Sequence, residues 1–323
     1  MPTVTLVLKD LYPNCASPEG AALPRLAALE RWMARAVVEP LPQGWRRALA
    51  ATYLPESTSE GGAVAAAAGA LADSPCGYWL ATPVHLLAGL DTVRLHPAGL
   101  LSTSFEEQCA LAADFEQVFH GSGWALRATQ RCELLLEGPP AEGISTQDPA
   151  RFLGRAVREA VPHGVGAAPL RRLMSEIEMW LHEHPLNQRR MAAGHLPISG
   201  LWLWGGGPLS IAPPRALPPL YGEDLATEAL WQLAAGAIQP LPAQWSALPR
   251  LDAAGAVVII PVPTGTGPEA LLKIERDWIA PLLAHARQSG SALTLLCADR
   301  RFTLIAGARW RFWRRERAWW EHL

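Results

Sequence analysis

Residues 184–208 read HPLNQRRMAAGHLPISGLWLWGGGP, and this stretch carries the strongest indication of the fold. Within it, the apolar run 201–204 lies between Gly200 and Gly205, a pattern that favours a short buried strand over a helix. A glycine-rich turn at a strand end lets a ligand approach the backbone closely, because glycine has no Cβ. In open α/β sheets, ligands bind where strands end. The stretch therefore predicts an α/β protein with a ligand site beside this strand.

Polar side chains lie just upstream of the strand, and arginine guanidinium groups suit bidentate contacts to phosphate or carboxylate. The alternative is that they tie the loop to a helix end or to a domain interface. The glycine run is not a P-loop, because no Gly-Lys-Ser/Thr follows it, and alone it would be an ordinary turn. We expect a small phosphorylated or carboxylate ligand. The candidate ligand-binding residues are Asn187, Arg189, Arg190, Trp204, Gly205, Gly206 and Gly207.

Apolar spacing predicts further elements. Residues 169–184 have an apolar stripe at helical spacing, and Ser104 with Glu107 is a capping-box signature for a helix that reaches residue 119. Strand patterns on both sides of that helix indicate a smaller α+β region. Residues 257–262, 268–288 and 293–297 read as strand, helix and strand, which predicts two neighbouring parallel strands.

The pattern H-P-x-N-x-x-R, then G-x-x-P and L-W-L-W-G-x-G, resembles the archaeal-type cofactor-independent phosphoglycerate mutases of the alkaline phosphatase superfamily. It is more similar still to a bacterial branch described in some genomes as phosphoglycerate mutase and in others as regulatory protein RpfE. The matching residues are His184, Pro185, Asn187, Arg190, Gly194, Pro197, Leu201, Trp202, Trp204, Gly205 and Gly207. The resemblance implies an alkaline-phosphatase-like α/β domain, with a mostly parallel sheet flanked by helices, over residues 1–74 and 201–323. A smaller α+β domain would be inserted over residues 75–200.

The resemblance also implies metal ligands at strand ends, and these are largely missing. The opening strand leads into Lys9-Asp10-Leu11 and retains one aspartate, while Asp299 is followed by Arg300 where the family has histidine. Two divalent metals need several carboxylate and imidazole ligands. We therefore predict that the metal site is lost and expect no cofactor. Manganese or magnesium would bind only at an altered site that uses weak candidates such as Asp10, Asp299 and Glu275, and no catalytic residue is assigned.

Composition narrows the function classes. Half of the 323 residues are hydrophobic, which is enough for one large or two moderate cores, and the net charge of −2 creates no general attraction for nucleic acid or anionic membrane. The five cysteines lack C-x-x-C spacing and read as reduced thiols. No apolar run approaches the ~18 residues of a membrane span, and the N-terminus lacks a signal-peptide pattern. We expect a soluble cytoplasmic protein without a membrane partner.

The C-terminal residues 309–320 interleave arginine with tryptophan and phenylalanine. Such a tail can bind nucleic acid through phosphate contacts and base stacking, but the net charge does not favour this. Docking against the body of the fold, or against a protein partner through a tryptophan hot spot, fits the composition better.

Three functional hypotheses follow. The first is a mutase-like protein without a metal site that acts as a ligand-binding or regulatory pseudoenzyme. The second is an active metal-dependent phosphomutase or phosphatase that acts on a small phosphorylated acid. The third is an interaction protein that docks a partner through its arginine–tryptophan tail.

Overall fold

The structure is a computed structural model that describes residues 3–12, 23–54, 77–129, 133–139, 143–206, 216–249, 255–262, 268–305, 311 and 313–323. The chain divides into two units. The first unit comprises Met1–Leu49, Pro213–Asp224 and Trp231–Leu323, and the second comprises Ala50–Ala212 and Leu225–Leu230.

The described strands and helices are numbered in chain order. The strands are β1 (Thr3–Lys9), β2 (Val37–Pro40), β3 (Gly77–Ala88), β4 (Val93–Leu100), β5 (Ala125–Ala128), β6 (Leu134–Gly138), β7 (Ile144–Ser145), β8 (His163–Gly164), β9 (Gly200–Trp204), β10 (Leu220–Tyr221), β11 (Ile238–Gln239), β12 (Ala256–Pro261), β13 (Ala292–Cys297) and β14 (Arg300–Leu304). The helices are α1 (Ala27–Arg35), α2 (Gly44–Tyr53), α3 (Phe105–Val118), α4 (Ala167–His182), α5 (Pro185–Ala192), α6 (Leu225–Leu233), α7 (Pro268–Ile274) and α8 (Ala280–Ser289), with a π-helical segment (Glu275–Ile279) joining the last two. No helix in the described ranges is long and apolar enough to cross a membrane.

The first unit is built on a seven-stranded sheet with the order β11-β10-β12-β1-β13-β14-β2. The first five strands in this order pair in parallel, and β14 pairs antiparallel with both of its neighbours. Leu6 of β1 and Val258 of β12 share one apolar core with Trp32 of α1 and Leu282 of α8. A parallel sheet needs such helical cover, because its strands are apolar on both faces. The predicted α/β class, a mostly parallel sheet flanked by helices, is confirmed.

The prediction that β12 and β13 are direct neighbours is wrong. Both strands run parallel, but β1 lies between them, with Val4 opposite Ala256 on one side and Leu293 on the other. The connection through α7 and α8 therefore skips one strand position. A local strand–helix–strand pattern cannot reveal this, because the intervening strand comes from the opposite end of the chain.

The second unit contains a five-stranded antiparallel sheet in which β4, β3, β6 and β5 follow one another and β9 also pairs with β3. Helix α3 begins with the predicted capping box, in which Ser104 Oγ accepts the Glu107 N–H at 3.1 Å and the Glu107 side chain accepts the Ser104 N–H at 2.9 Å. Helix α4 buries the predicted apolar stripe, including Leu170, Leu173 and Ile177. An antiparallel sheet packed against helices makes this unit α+β, as predicted.

Strand β9 forms where the sequence predicts it but belongs to the antiparallel sheet. Gly200 pairs with Val84 and Trp204 with Leu80, so the strand is part of the second unit. The family resemblance implies instead that residues from 201 onward belong to the larger sheet. All five residues of β9 are buried, so the apolar pattern marks a core strand without specifying which sheet receives it.

Candidate functional site

The segment that opens the HPLNQRR motif starts helix α5. His184 is the N-cap residue, and its Nδ1 accepts the Leu186 N–H at 3.1 Å while Pro185 occupies the first helical turn. Because Nδ1 accepts this bond, the ring hydrogen lies on Nε2, which is 3.2 Å from Asp114 Oδ2. Trp180 packs edge-on against the imidazole at 5.2 Å between ring centroids. The histidine therefore sets where the helix begins.

Asn187 is buried and its amide makes three hydrogen bonds to backbone groups. Its Nδ2 donates to Leu181 O and to Ile198 O, both at 2.8 Å, and its Oδ1 accepts the Ile198 N–H at 2.7 Å. These bonds connect the end of α4 to the loop that leads into β9. A buried amide with this many partners is a strong local tie, because any lost bond would leave a desolvated polar group.

Arg190 is also buried, with 6% of its surface exposed. Its Nη1 donates to Glu107 Oε1 at 2.9 Å and to Oε2 at 3.0 Å, and its Nε donates to Leu196 O at 3.0 Å. Further contacts reach Ser102 O at 3.3 and 3.4 Å. The guanidinium therefore links α5 to the capping box of α3, and an anion would have to compete with Glu107 to reach it.

Arg189 is exposed on the same helix, so it alone among the three upstream candidates presents its side chain to solvent. An exposed guanidinium keeps its capacity for bidentate contact with phosphate or carboxylate.

The glycine-rich end of β9 is shaped by tryptophan packing. Trp204 is buried, and its Nε1 donates to Thr82 Oγ1 at 2.8 Å, while the Gly205 N–H donates to Thr146 Oγ1 at 3.0 Å. A Cβ on Gly206 would lie 2.3 Å from Trp79 Nε1, so only glycine fits there. Within the described residues, that indole nitrogen is buried and has no hydrogen-bond partner. Gly207 lies outside the described residues.

The weak metal candidates Asp10 and Asp299 come to the same edge of the first unit's sheet. Leu8 of β1 is in register with Cys297 of β13, and each aspartate lies two residues beyond its residue of this pair. Asp10 has φ +62°, and Ala298, just before Asp299, has φ +49°. Ala298 and Asp299 form the two-residue turn between β13 and β14, and such turns commonly adopt positive φ. The sheet therefore brings two carboxylates to the carboxyl ends of adjacent strands, where open α/β sheets bind ligands.

Three residues at this edge were missed by sequence reasoning. Asp224, which follows β10, is 3% exposed, and its Oδ2 lies 2.7 Å from Arg46 Nη2 and 3.4 Å from Lys9 Nζ. The Arg46 Nε donates to the same oxygen at 2.9 Å. A buried carboxylate is stable only when it is paired in this way. Strand β10 has only two residues and gives no strand pattern, so the sequence carries no signal that brings these three residues together.

Glu275 accepts hydrogen bonds from backbone groups at the start of α1. Its carboxylate accepts the N–H groups of Ala28 and, at 3.3 Å, of Leu29. Burial raises the pKa of Glu275 above its usual value, although these two hydrogen bonds act in the opposite direction. Among the residues that the structure describes, no group of three or more histidine, cysteine or acidic side chains is arranged to hold a metal ion.

The described part of the C-terminal tail packs on the first unit. Arg311 Nη1 donates to Arg35 O at 3.2 Å, Arg314 Nη1 donates to Ala36 O at 3.0 Å, and Trp319 is fully buried. Near the tail, burial alone would raise the pKa of Glu30, but hydrogen bonds from Arg25, Leu26 and Trp319 together lower it. Arg309, Trp310 and Phe312 lie outside the described residues.

We expect the turn after β10 to tolerate no side chain at Gly222. This glycine has φ +109°, and a Cβ would lie 2.2 Å from Ile259 O, so Gly222→Ala should lower the free energy of unfolding by about 2–3 kcal/mol. Gly290→Ala is the matched control, since it also has positive φ but no atom within 4 Å, and should cost about 1 kcal/mol. Urea denaturation of both variants measures the difference, and equal losses would contradict the described turn.

The structure thus defines an α/β protein with a charged cluster at the carboxyl edge of a mostly parallel sheet. No protein-family model matches the chain. Over 65 residues, 20% of its length, the chain is 35% identical to a "Probable 2,3-bisphosphoglycerate-independent phosphoglycerate mutase" of Geobacter sulfurreducens and, equally, to a 2,3-bisphosphoglycerate-independent phosphoglycerate mutase of Methanothrix thermoacetophila. The similarity spans only 16% and 17% of the lengths of these curated relatives.

Two solved structures resemble the chain over most of its length. The cofactor-independent phosphoglycerate mutase of Thermoplasma acidophilum is 14% identical with a TM-score of 0.37, covering 95% of this chain and 90% of that one. The PH0037 protein of Pyrococcus horikoshii is 12% identical with a TM-score of 0.43, covering 94% and 87%.

Proposed function

We propose that this chain is a member of the cofactor-independent phosphoglycerate mutase family that has lost its metal site and acts as a ligand-binding or regulatory protein. The motif within residues 184–207 and the 65-residue similarity to two such mutases support the family. Cysteines without paired spacing support a cytoplasmic location.

The observation that most directly supports a lost metal site is the pairing of Asp224 with Arg46 and Lys9. A carboxylate at the carboxyl edge of such a sheet is suited to bind a divalent cation. Here two cationic side chains already neutralise it, and their positive charge would repel a metal ion approaching the same oxygen atoms. Asp224 therefore favours its internal ion pairs over a role as a metal ligand.

The test is conversion of 3-phosphoglycerate to 2-phosphoglycerate after incubation with manganese or magnesium, with an active mutase as the positive control. We expect no turnover and no stoichiometric bound metal, because Asp224 is already paired with Arg46 and Lys9. Turnover that disappears in Asp10→Asn would refute the proposal.

The second candidate function is an active metal-dependent phosphomutase or phosphatase. It is favoured by Asp10 and Asp299, which lie at equivalent register positions after two adjacent parallel strands. If the protein is such an enzyme, elemental analysis of the purified protein should find bound manganese or magnesium. This metal should be lost in Asp10→Asn and in Asp299→Asn. Asp91→Asn, at an exposed turn of the second unit, is the control and should leave the metal content unchanged.

For the ligand, we propose a small phosphorylated or carboxylate acid that contacts Arg189, since Arg190 is committed to Glu107. Calorimetric titration with 3-phosphoglycerate tests this, and Arg189→Ala should weaken binding about tenfold through loss of a charge-assisted contact. Gln188→Ala, an exposed neighbour on α5, is the control. Equal affinity in both variants would remove Arg189 from the ligand site.

A further inference from the structure

A cavity of about 460 Å³ lies within the first unit, between α1, α8 and the end of β14. Its walls include Trp32 and Leu283 from the two helices and Leu304 from the strand. Ligand pockets commonly have this size and this mainly apolar lining. The cavity is therefore large enough for one hydrocarbon chain or ring system.

Three arginines add positive charge to this apolar cavity. Arg31 and Arg35 come from α1 and Arg287 comes from α8. Glu316 approaches the first two at 3.3 and 3.8 Å, but Arg31 and Glu316 are each 39% exposed, and exposed ion pairs of this kind are weak. Arg287 has no ion pair within the part of the chain that the structure describes. The lining thus offers guanidinium groups that an incoming anion can engage.

Trp32 forms part of the apolar wall of the cavity. The side chain is 1% exposed and its Nε1 is itself buried. Trp32 therefore offers a ligand aromatic ring surface, and the polar contacts in the lining come from the arginines.

We propose that this cavity binds an amphipathic anion, in which a carboxylate or phosphate monoester is attached to a single apolar chain or ring. The anionic group contacts Arg287 and its two arginine neighbours on α1, and the apolar part packs on Trp32 and Leu283. Either head group accepts hydrogen bonds from the same guanidinium donors, so both carry the required chemistry.

This site is separate from the cluster at the carboxyl edge. Gly290 and Ser291 line the cavity immediately before β13, whereas Asp299 follows the other end of that strand. The cavity therefore lies at the amino end of β13, whereas Asp299 lies beyond its carboxyl end. Its occupation does not depend on whether the chain retains mutase chemistry.

The experiment is calorimetric titration of the full chain with octanoate and with octyl phosphate, alongside octanol and acetate. We expect saturable one-to-one binding of at least one amphipathic anion, and at least tenfold weaker binding of the neutral alcohol and of the head group alone. Binding of only octanoate or only octyl phosphate would support the site and identify its head group. Equal affinity for octanoate, octyl phosphate and octanol, or no saturable binding at millimolar concentration, would overturn the proposal.

Variants connect the binding to the cavity. Arg287→Ala should weaken binding about tenfold, because it removes one charge-assisted contact from an exposed position where the fold tolerates alanine. Trp32→Phe should also weaken binding, since it removes part of the aromatic surface that packs on the apolar part of the ligand. Arg276→Ala, an exposed arginine outside the cavity lining, should bind as the unsubstituted chain does. An equal effect of Arg287→Ala and Arg276→Ala would overturn the assignment of the site.

Discussion

Arg190→Ala should lower the free energy of unfolding by about 3 kcal/mol, even though this residue was predicted from the sequence to bind a ligand. The substitution removes the partner of Glu107 and the donors to Leu196 O and Ser102 O. Breaking a buried ion pair costs about 3–5 kcal/mol, and the lower figure applies because Glu107 is 23% exposed. The midpoint of urea denaturation, compared with that of the unsubstituted chain, measures the loss.

Arg189→Ala is the matched control, because the same residue type changes to alanine one position earlier on the same helix. Its side chain is exposed, so we expect a change within about 0.5 kcal/mol. Arg190→Lys should recover only part of the loss, since an ammonium group cannot reproduce the guanidinium fork to Glu107 and Leu196 O. Equal stability of the Arg189 and Arg190 variants would contradict the described contacts.

The stability of Arg190→Ala determines how a loss of ligand binding in this variant is interpreted. Loss of ligand binding in Arg190→Ala would follow from a disturbed second unit as readily as from a missing ligand contact. Arg189→Ala separates the two, because it removes a guanidinium from the same segment without affecting the link between α5 and α3.

The local elements of this segment could be predicted from the sequence, because their signals are local. The stripe of α4, the capping box of α3 and the apolar strand β9 depend on residues within one or two turns of each other. The contacts of Arg190 are not local, because its partners Glu107 and Ser102 lie 83 and 88 residues upstream. Residue type and spacing therefore identified Arg190 as important and left open whether it binds a ligand or holds the fold together.

The same distinction applies at the carboxyl edge of the first unit. Asp10 and Asp299 could be identified because each follows an apolar strand at a position where the resembling family has metal ligands. Their shared register depends on β1 lying between β12 and β13, which only the folded sheet reveals. Asp224 follows a two-residue strand, so its place beside Lys9 and Arg46 had no sequence signal.

Trp319→Ala should lower the free energy of unfolding by about 3–5 kcal/mol, the range for truncating a large buried aromatic side chain. Trp319 is fully buried in the core of the first unit, its Nε1 donates to Pro24 O at 3.0 Å, and its N–H donates to Glu30 Oε1 at 3.4 Å. Trp313→Ala is the control, since that side chain is 67% exposed, and its change should stay within about 0.5 kcal/mol. Thermal and urea denaturation of the two variants compare them.

The outcome decides how a role of the tail in partner binding can be tested. If Trp319 stabilises the first unit as described, deleting residues after 308 removes part of that unit's core, and any lost interaction then reports unfolding. Trp313→Ala combined with Arg315→Ala removes exposed tail side chains instead and leaves Trp319 in place. A partner lost by this double variant at unchanged stability would establish docking through the tail. Unchanged stability in Trp319→Ala would show that the tail does not contribute to the core, and deletion would then be the direct test.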